Sequence, residues 1–349
     1  MLRELWIHNC ELSAAVWSGL NLTRLEHLSM ECLGRHTDLA GLEGGRCSSL
    51  RTLSLSRSPL LTDISEVGKM SNVRYLNLHC CKNLVDVSAL GKCANLAHLE
   101  LSGCCRVSDI TGLGNCTNLT RLELSGCRLL ADISALTGCS SLAHLDLSGC
   151  EQLTSISALA SCESLVHLDV MLCRLLPNIS ALAGCKSLAH VDLGGCRLLA
   201  DISALTGCSS LAHLELSGCR LLPDISALAG CKCLVHVNLS HCSELTDLSA
   251  LAECSSLAHL DLSGCEQLTN ISALAGCSKL AHLDLSYCIL LNDISALAEC
   301  KSLKHLDLSY CRRLTPISAL DHLESLDHLD VNDCHAKICN NRLRGGEVV

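Results

Sequence analysis

Cysteine recurs at a fixed interval of 23 residues from Cys127 to Cys311, and each copy closes a version of Leu-x-x-Leu-x-Leu-x-x-Cys. A constant period of this length builds a stack of similar turns, each burying its apolar residues against the turns before and after it. Copies open at Leu2, Leu25, Leu50, Val73, Leu96 and Leu119, and the series continues from Leu142 through Leu326. The step is always 23 residues, except for one of 25 after Leu25. Gly126 to Leu145 and Gly195 to Leu214 are identical at all 20 positions, which points to duplication of three copies as a block.

The copy starting at Leu142 shows how one turn is built. His144-Leu145-Asp146-Leu147 alternates polar and apolar, which predicts a short strand with Leu145 and Leu147 inward and His144, Asp146 and Ser148 outward. Leu153 to Cys162 carries apolar residues at three-residue steps, predicting a 3₁₀ turn or short helix on the opposite side. Asp132, Asp201, Asp224 and Asp293 lie two residues before a recurrent serine, and either the aspartate or the serine can accept from the free amides that open this turn. The expected fold is an α/β solenoid, a curved horseshoe with a parallel sheet on its concave face and 3₁₀ or short helical turns on its convex face. It is expected to span residues 1–333 as one domain, with residues 334–349 as a tail or cap remnant.

Hydrophobic residues make up 49% of the chain, yet there is no Phe and only five Trp or Tyr, so the core is aliphatic and thiol-filled. A net charge of −10 argues against a phosphate-binding face, and nucleic acid is not an expected partner. No apolar run is long enough to cross a bilayer, and MLRELWIHNC lacks the pattern of a secretory leader. These features favour the cytoplasm or nucleus. Leu2 opens a copy with no polar cap before it, as expected of a piece of a longer protein.

The phrase LxxLxLSxCxxLxDISALxxC resembles the short leucine-rich repeats of the internalin type, with Cys in place of the usual ladder Asn and one residue added. The resemblance covers about residues 2 to 333. Val237, Leu239, Cys242 and Leu245-Thr246-Asp247 are similar to the cysteine-containing repeats of F-box substrate receptors, although no F-box precedes them. The near-identical copies carrying DISAL also resemble repeat proteins amplified in trypanosomatid parasites. Each resemblance implies protein binding through the concave face.

Two columns dominate that face. One is imidazole, at His144, His167, His190, His213, His236, His259, His282, His305 and His328, with His27 and His98 earlier. The other is acidic, at Glu100, Glu123, Asp146, Asp169, Asp192, Glu215, Asp261, Asp284, Asp307 and Asp330, interrupted by Asn238. Neighbouring carboxylates raise an imidazole pKa and neighbouring imidazolium ions lower it, so the face is either pH-sensitive or a solvated pair copied many times. A flat ladder does not converge on a point as a metal site requires, and neither metal nor cofactor is expected.

The 29 cysteines fall mainly in two inward columns, expected to be reduced thiols because stacked neighbours are too far apart for unstrained disulfides. Sequons begin at Asn21, Asn115, Asn118, Asn178, Asn238 and Asn270, where the repeat itself supplies the Ser or Thr. Cys334-His335 with Cys339, and Arg342 to Gly346, which copies the end of ubiquitin, are minor candidates in the tail.

Departures from the repeat give the face an address. Position eight is usually Gly, but it is Leu172, His241, Tyr287, Tyr310 and Asp333 in particular copies, with Met171 beside Leu172. Tyr287 and Tyr310 occupy adjacent rungs and are the foremost anchor candidates. Ser148 and His144 recur without a distinctive copy, which argues against an enzyme, and no small-molecule substrate is evident. The expected function is a non-catalytic scaffold or recognition module for a protein partner. The alternatives are a ubiquitin-ligase substrate receptor and a surface or secreted repeat antigen.

Overall fold

The structure is a computed structural model that describes residues 2–8, 20–33, 39, 42, 46–314 and 318–334. Apart from Cys334, the tail candidates lie outside the described residues. The chain divides into two compact units, Met1–Leu175 and Leu176–Val349.

In the first unit, β1 (Glu4–His8), β2 (His27–Glu31), β3 (Thr52–Ser54) and β4 (Tyr75–Asn77) are parallel neighbours in chain order. They continue into β5 (His98–Glu100), β6 (Arg121–Glu123), β7 (His144–Asp146) and β8 (His167–Asp169). The second unit carries β9 (His190–Asp192), β10 (His213–Glu215), β11 (His236–Asn238) and β12 (His259–Asp261). Its remaining strands are β13 (His282–Asp284), β14 (His305–Asp307) and β15 (His328–Asp330), again parallel and in order. Register follows the repeat, so His213 pairs with His236 and Leu214 with Val237.

Leu142, Leu145, Leu147, Cys150, Leu153, Ile156, Leu159 and Cys162 are all buried, forming one layer of the core. Burying each leucine contributes on the order of 2 kcal/mol, offset by the entropy of ordering the chain. The three-residue apolar spacing forms a 3₁₀ turn in each regular copy, such as Ser134–Gly138 and Ser157–Ser161.

Of the two acceptors expected at the start of this turn, the aspartate does the work. Asp132 Oδ1 accepts from the Ser134 amide at 2.7 Å, and Asp201, Asp224 and Asp293 repeat the bond to Ser203, Ser226 and Ser295. The serine hydroxyl instead donates back to the aspartate, as Ser134 Oγ does to Asp132 Oδ2 at 2.9 Å.

The thiols form two ladders. Cys150 Sγ donates to Leu124 O at 3.5 Å and Cys173 Sγ to Leu147 O at 3.3 Å, each reaching the carbonyl of the preceding turn. The second column does the same, with Cys139 Sγ to Cys116 O at 3.7 Å and Cys300 Sγ to Leu274 O at 3.3 Å. These thiols therefore fill space and also tie turn to turn, although each S–H bond is weak. Burial pushes Cys116 and Cys139 up to about 11 and Cys127 and Cys265 up to about 12.

Ser148 departs from expectation. The strand ends at Asp146 and the chain turns there, leaving Ser148 buried instead of facing solvent. Asp146 Oδ1 accepts both its amide, at 2.8 Å, and its hydroxyl, at 2.6 Å.

Candidate functional site

The imidazole column is a real stack within each unit. His144 and His167 lie face to face with centroids 4.2 Å apart, as do His190 with His213 (4.5 Å), His259 with His282 (4.4 Å) and His282 with His305 (4.3 Å). His236 is displaced, standing 6.0 Å from His213 and 5.9 Å from His259. Its Nε2 lies 2.7 Å from Glu215 Oε1, a contact that draws the ring away from its neighbours. His328 is likewise tilted against His305, at 5.9 Å and 54°.

The acidic column turns out to hold two kinds of residue. Asp261 Oδ1 accepts from the Ser263 amide, Asp284 from Ser286 and Asp307 from Ser309, each at 2.8 Å. Asp169 bonds the Met171 amide and Asp192 the Gly194 amide in the same way. Asn238, the interruption, makes the equivalent bond to Ser240 at 2.9 Å, so the turn needs the oxygen and not the charge. Glutamate, one methylene longer, reaches other groups instead. Glu123 lies 2.7 Å from Arg121 and 3.3 Å from His144, Glu100 accepts from Tyr75 Oη at 3.0 Å, and Glu215 takes His236. Sequence reasoning merged the two because both are acidic, and the lone Asn238 was the available signal that charge was dispensable.

The competition over imidazole charge is resolved at four residues. Burial holds His98, His144, His190 and His282 below the ordinary histidine value, and stacked imidazoles add to the effect at His144, His190 and His282. Carboxylates beside His98 and His144 oppose this and do not prevail. Asp284 is shifted upward, first by burial and further by Asp261 and Asp307 on either side. Between the columns in the second unit runs an open groove of about 280 Å³, lined among others by His259, His282, His305, Asp261, Asp284 and Asp307.

Position eight has a backbone role that its glycines implied. Gly126 and Gly149 sit at φ of 71° and 69°, the left-handed region where a side chain is strained. Leu172, His241, Tyr287, Tyr310 and Asp333 hold the same conformation at 55° to 62°. The Tyr287 and Tyr310 rings stack at 4.3 Å with 10° between their planes, and Tyr287 is 49% exposed. Met171 and Leu172 are also exposed, at the end of the first unit. The His241 ring lies over Gly264, where a Cβ would come within 2.5 Å of Nδ1.

All six sequon asparagines hold backbone or turn bonds. Asn118 Nδ2 donates to Ala94 O at 2.9 Å and Asn115 Nδ2 to Gly91 O at 3.3 Å, while Asn21, Asn178, Asn238 and Asn270 accept from the residue two further on. The Ser148 hydroxyl is held by Asp146 and shared with Ser125 Oγ at 2.8 Å, an arrangement that leaves its proton with a turn and not with an imidazole base. Among the described residues, no three His, Cys, Asp or Glu side chains converge as a metal site would, and no helix is long and apolar enough to cross a membrane.

Models of known families match both units. Leucine Rich repeats (2 copies) match residues 94–138 and 117–161, and the BspA type Leucine rich repeat region (6 copies) matches 224–319. No curated protein matches the chain by sequence. Among solved structures, an internalin (inlF) from Listeria monocytogenes is similar with a TM-score of 0.64 and 20% identity, over 99% of this chain and 86% of that one. The functional domain of InlJ from the same organism, which includes a cysteine ladder, is similar with a TM-score of 0.60 and 17% identity, over 83% of this chain and 65% of that one. The mouse RP105/MD-1 complex is similar with a TM-score of 0.60 and 22% identity, over 97% of this chain and 56% of that one. The 23-residue register and the parallel strands joined by 3₁₀ turns agree with these likenesses, and the chain is a leucine-rich repeat protein.

Proposed function

We propose that this protein is a non-catalytic recognition module that binds a protein partner through the solvent face of β12 to β14, anchored by Tyr287 and Tyr310. The observation that carries the reading is the stacked tyrosine pair. Both rings stand where the repeat uses glycine, in a backbone conformation costing roughly 1 kcal/mol for an ordinary residue. Strain retained at an exposed aromatic is what a binding contact would explain. The flanking carboxylates Asp261, Asp284 and Asp307 suit a basic or hydroxyl-rich partner segment, since all three line the open groove of the second unit. The RP105/MD-1 complex is a case of this fold in a protein assembly, which supports the class of function and not the partner. The reading places the protein in the cytoplasm or nucleus, where ladder thiols stay reduced.

The test is affinity capture from a native-source extract by the wild-type chain and by Tyr287→Gly/Tyr310→Gly, followed by calorimetry on the captured protein. Restoring the repeat's own glycines keeps the backbone intact, so the expected result is a loss of affinity of about 10-fold or more. Equal affinity for both chains overturns the anchor.

A further inference from the structure

Most described thiols of this chain point into the core, but Cys80 does not. It is half-buried at position eight of its copy, at φ 60°, and its Sγ lies 3.2 Å from His79 Nε2. The turn that presents the pair is fixed by backbone bonds, from the His79 amide to Asn77 Oδ1 at 2.8 Å and from the Cys80 amide to Ser102 O at 2.8 Å. Room for the sulfur comes from the next turn. Gly103 faces it, and a Cβ there would stand 2.9 Å from Cys80 Sγ.

We propose that Cys80 and His79 form a thiol–imidazole pair that makes Cys80 the oxidation-sensitive nucleophile of this protein, with peroxides as its class of reactant. A thiol next to an imidazole nitrogen can pass its proton to that nitrogen and react as thiolate. The ladder thiols have the opposite surroundings. Cys104 donates to Leu78 O and Cys127 to Leu101 O, and burial pushes Cys127 up to about 12, so these sulfurs keep their protons. Two more accessible thiols also face carbonyls, Cys105 toward Lys82 O at 3.8 Å and Cys334 toward Leu308 O at 2.8 Å.

In the reaction the Cys80 sulfur attacks one oxygen of hydrogen peroxide, so an S–O bond forms as the O–O bond breaks. The thiol proton moves to His79 Nε2 and then to the departing hydroxide, which leaves as water. Sulfur loses two electrons, the peroxide gains them, and the products are the sulfenic acid of Cys80 and one water.

The experiment treats the native full chain with hydrogen peroxide in the presence of dimedone and maps labelled cysteines by mass spectrometry. Cys233, which is exposed, reports what exposure alone gives. Cys80 is expected to label about 10-fold faster than Cys233, and His79→Gln to bring it down to the Cys233 rate. Cys80 labelling no faster than Cys233 overturns the proposal, as does a rate unchanged in a folded His79→Gln. Should that variant fail to fold, the wild-type ratio of Cys80 to Cys233 decides alone.

Discussion

Glu215 and His236 meet at 2.7 Å, Oε1 to Nε2, across adjacent strands, and His236 stands 6.0 and 5.9 Å from its two neighbours in the imidazole column. Asp261, in the same column one turn beyond Asn238, reaches the Ser263 amide of its own turn instead. One methylene separates the two behaviours. The shorter carboxylate of Asp261 folds back to the amide two residues on, while that of Glu215 spans the strand spacing.

Replacing Asp261 therefore tests turn and charge separately. Asp261→Asn keeps the oxygen, as Asn238 does, and is expected to change stability by less than about 0.5 kcal/mol. Asp261→Ala removes the acceptor and should cost about 1 kcal/mol in urea titrations. If the carboxylate charge also meets a partner, Asp261→Asn weakens binding at unchanged stability.

Tyr287→Gly gives up the ring stack with Tyr310, a contact worth about 1 kcal/mol, and relieves left-handed strain of similar size. Thermal melting should thus move little. Tyr287→Val puts a β-branched residue at φ 59° and is expected to lower stability by about 1–2 kcal/mol or more.

Alkaline pH should unfold the protein steeply. A buried thiol such as Cys127 or Cys265, at about 12 in the fold against 9.0 when exposed, keeps its proton in the folded chain after the unfolded chain has lost it. Stability then falls as pH rises from 9 toward 12, by on the order of 1 kcal/mol per pH unit for each such thiol. Circular dichroism between pH 8 and 11 should show a cooperative loss of structure. A flat response would mean the ladder thiols are more hydrated than the core they occupy.

Acid acts in two stages. His98, His144, His190 and His282 titrate below 6.5 in the fold, so the unfolded chain binds protons first and stability falls as pH drops through 6.5 toward the lowered values. Asp86 and Asp247, held low by hydrogen bonds from Ser88 and Ser249, contribute stability above 3.8 that is lost as pH falls through their lowered values. Melting temperatures measured from pH 8 to pH 3 should decline first between 7 and 5 and again below 4. A profile flat to pH 5 contradicts the burial of the imidazole stack.

The core was legible in the sequence because burial in a repeat depends only on position. Leu145, Leu147, Cys150 and Ile156 are inward for the same reason in every copy, and the Asp132 class of turn acceptor follows from its spacing to Ser134. The candidate surface was legible as columns but not as contacts. Ser148 reads as outward by alternation, yet the chain has already left the strand there.

Period and alternation alone determined the stacked-turn architecture, the aliphatic and thiol core and the location of the imidazole and acidic columns, since each follows from which side of a strand or turn a residue occupies. The tertiary structure decided what those groups do. It ties Asp261 to the amide of its own turn and Glu215 to His236, lowers four imidazoles through burial, stacks Tyr287 on Tyr310 and sets Cys80 against His79. These outcomes turn on side-chain reach, backbone φ and the few ångströms between neighbouring turns, which a repeat pattern does not encode.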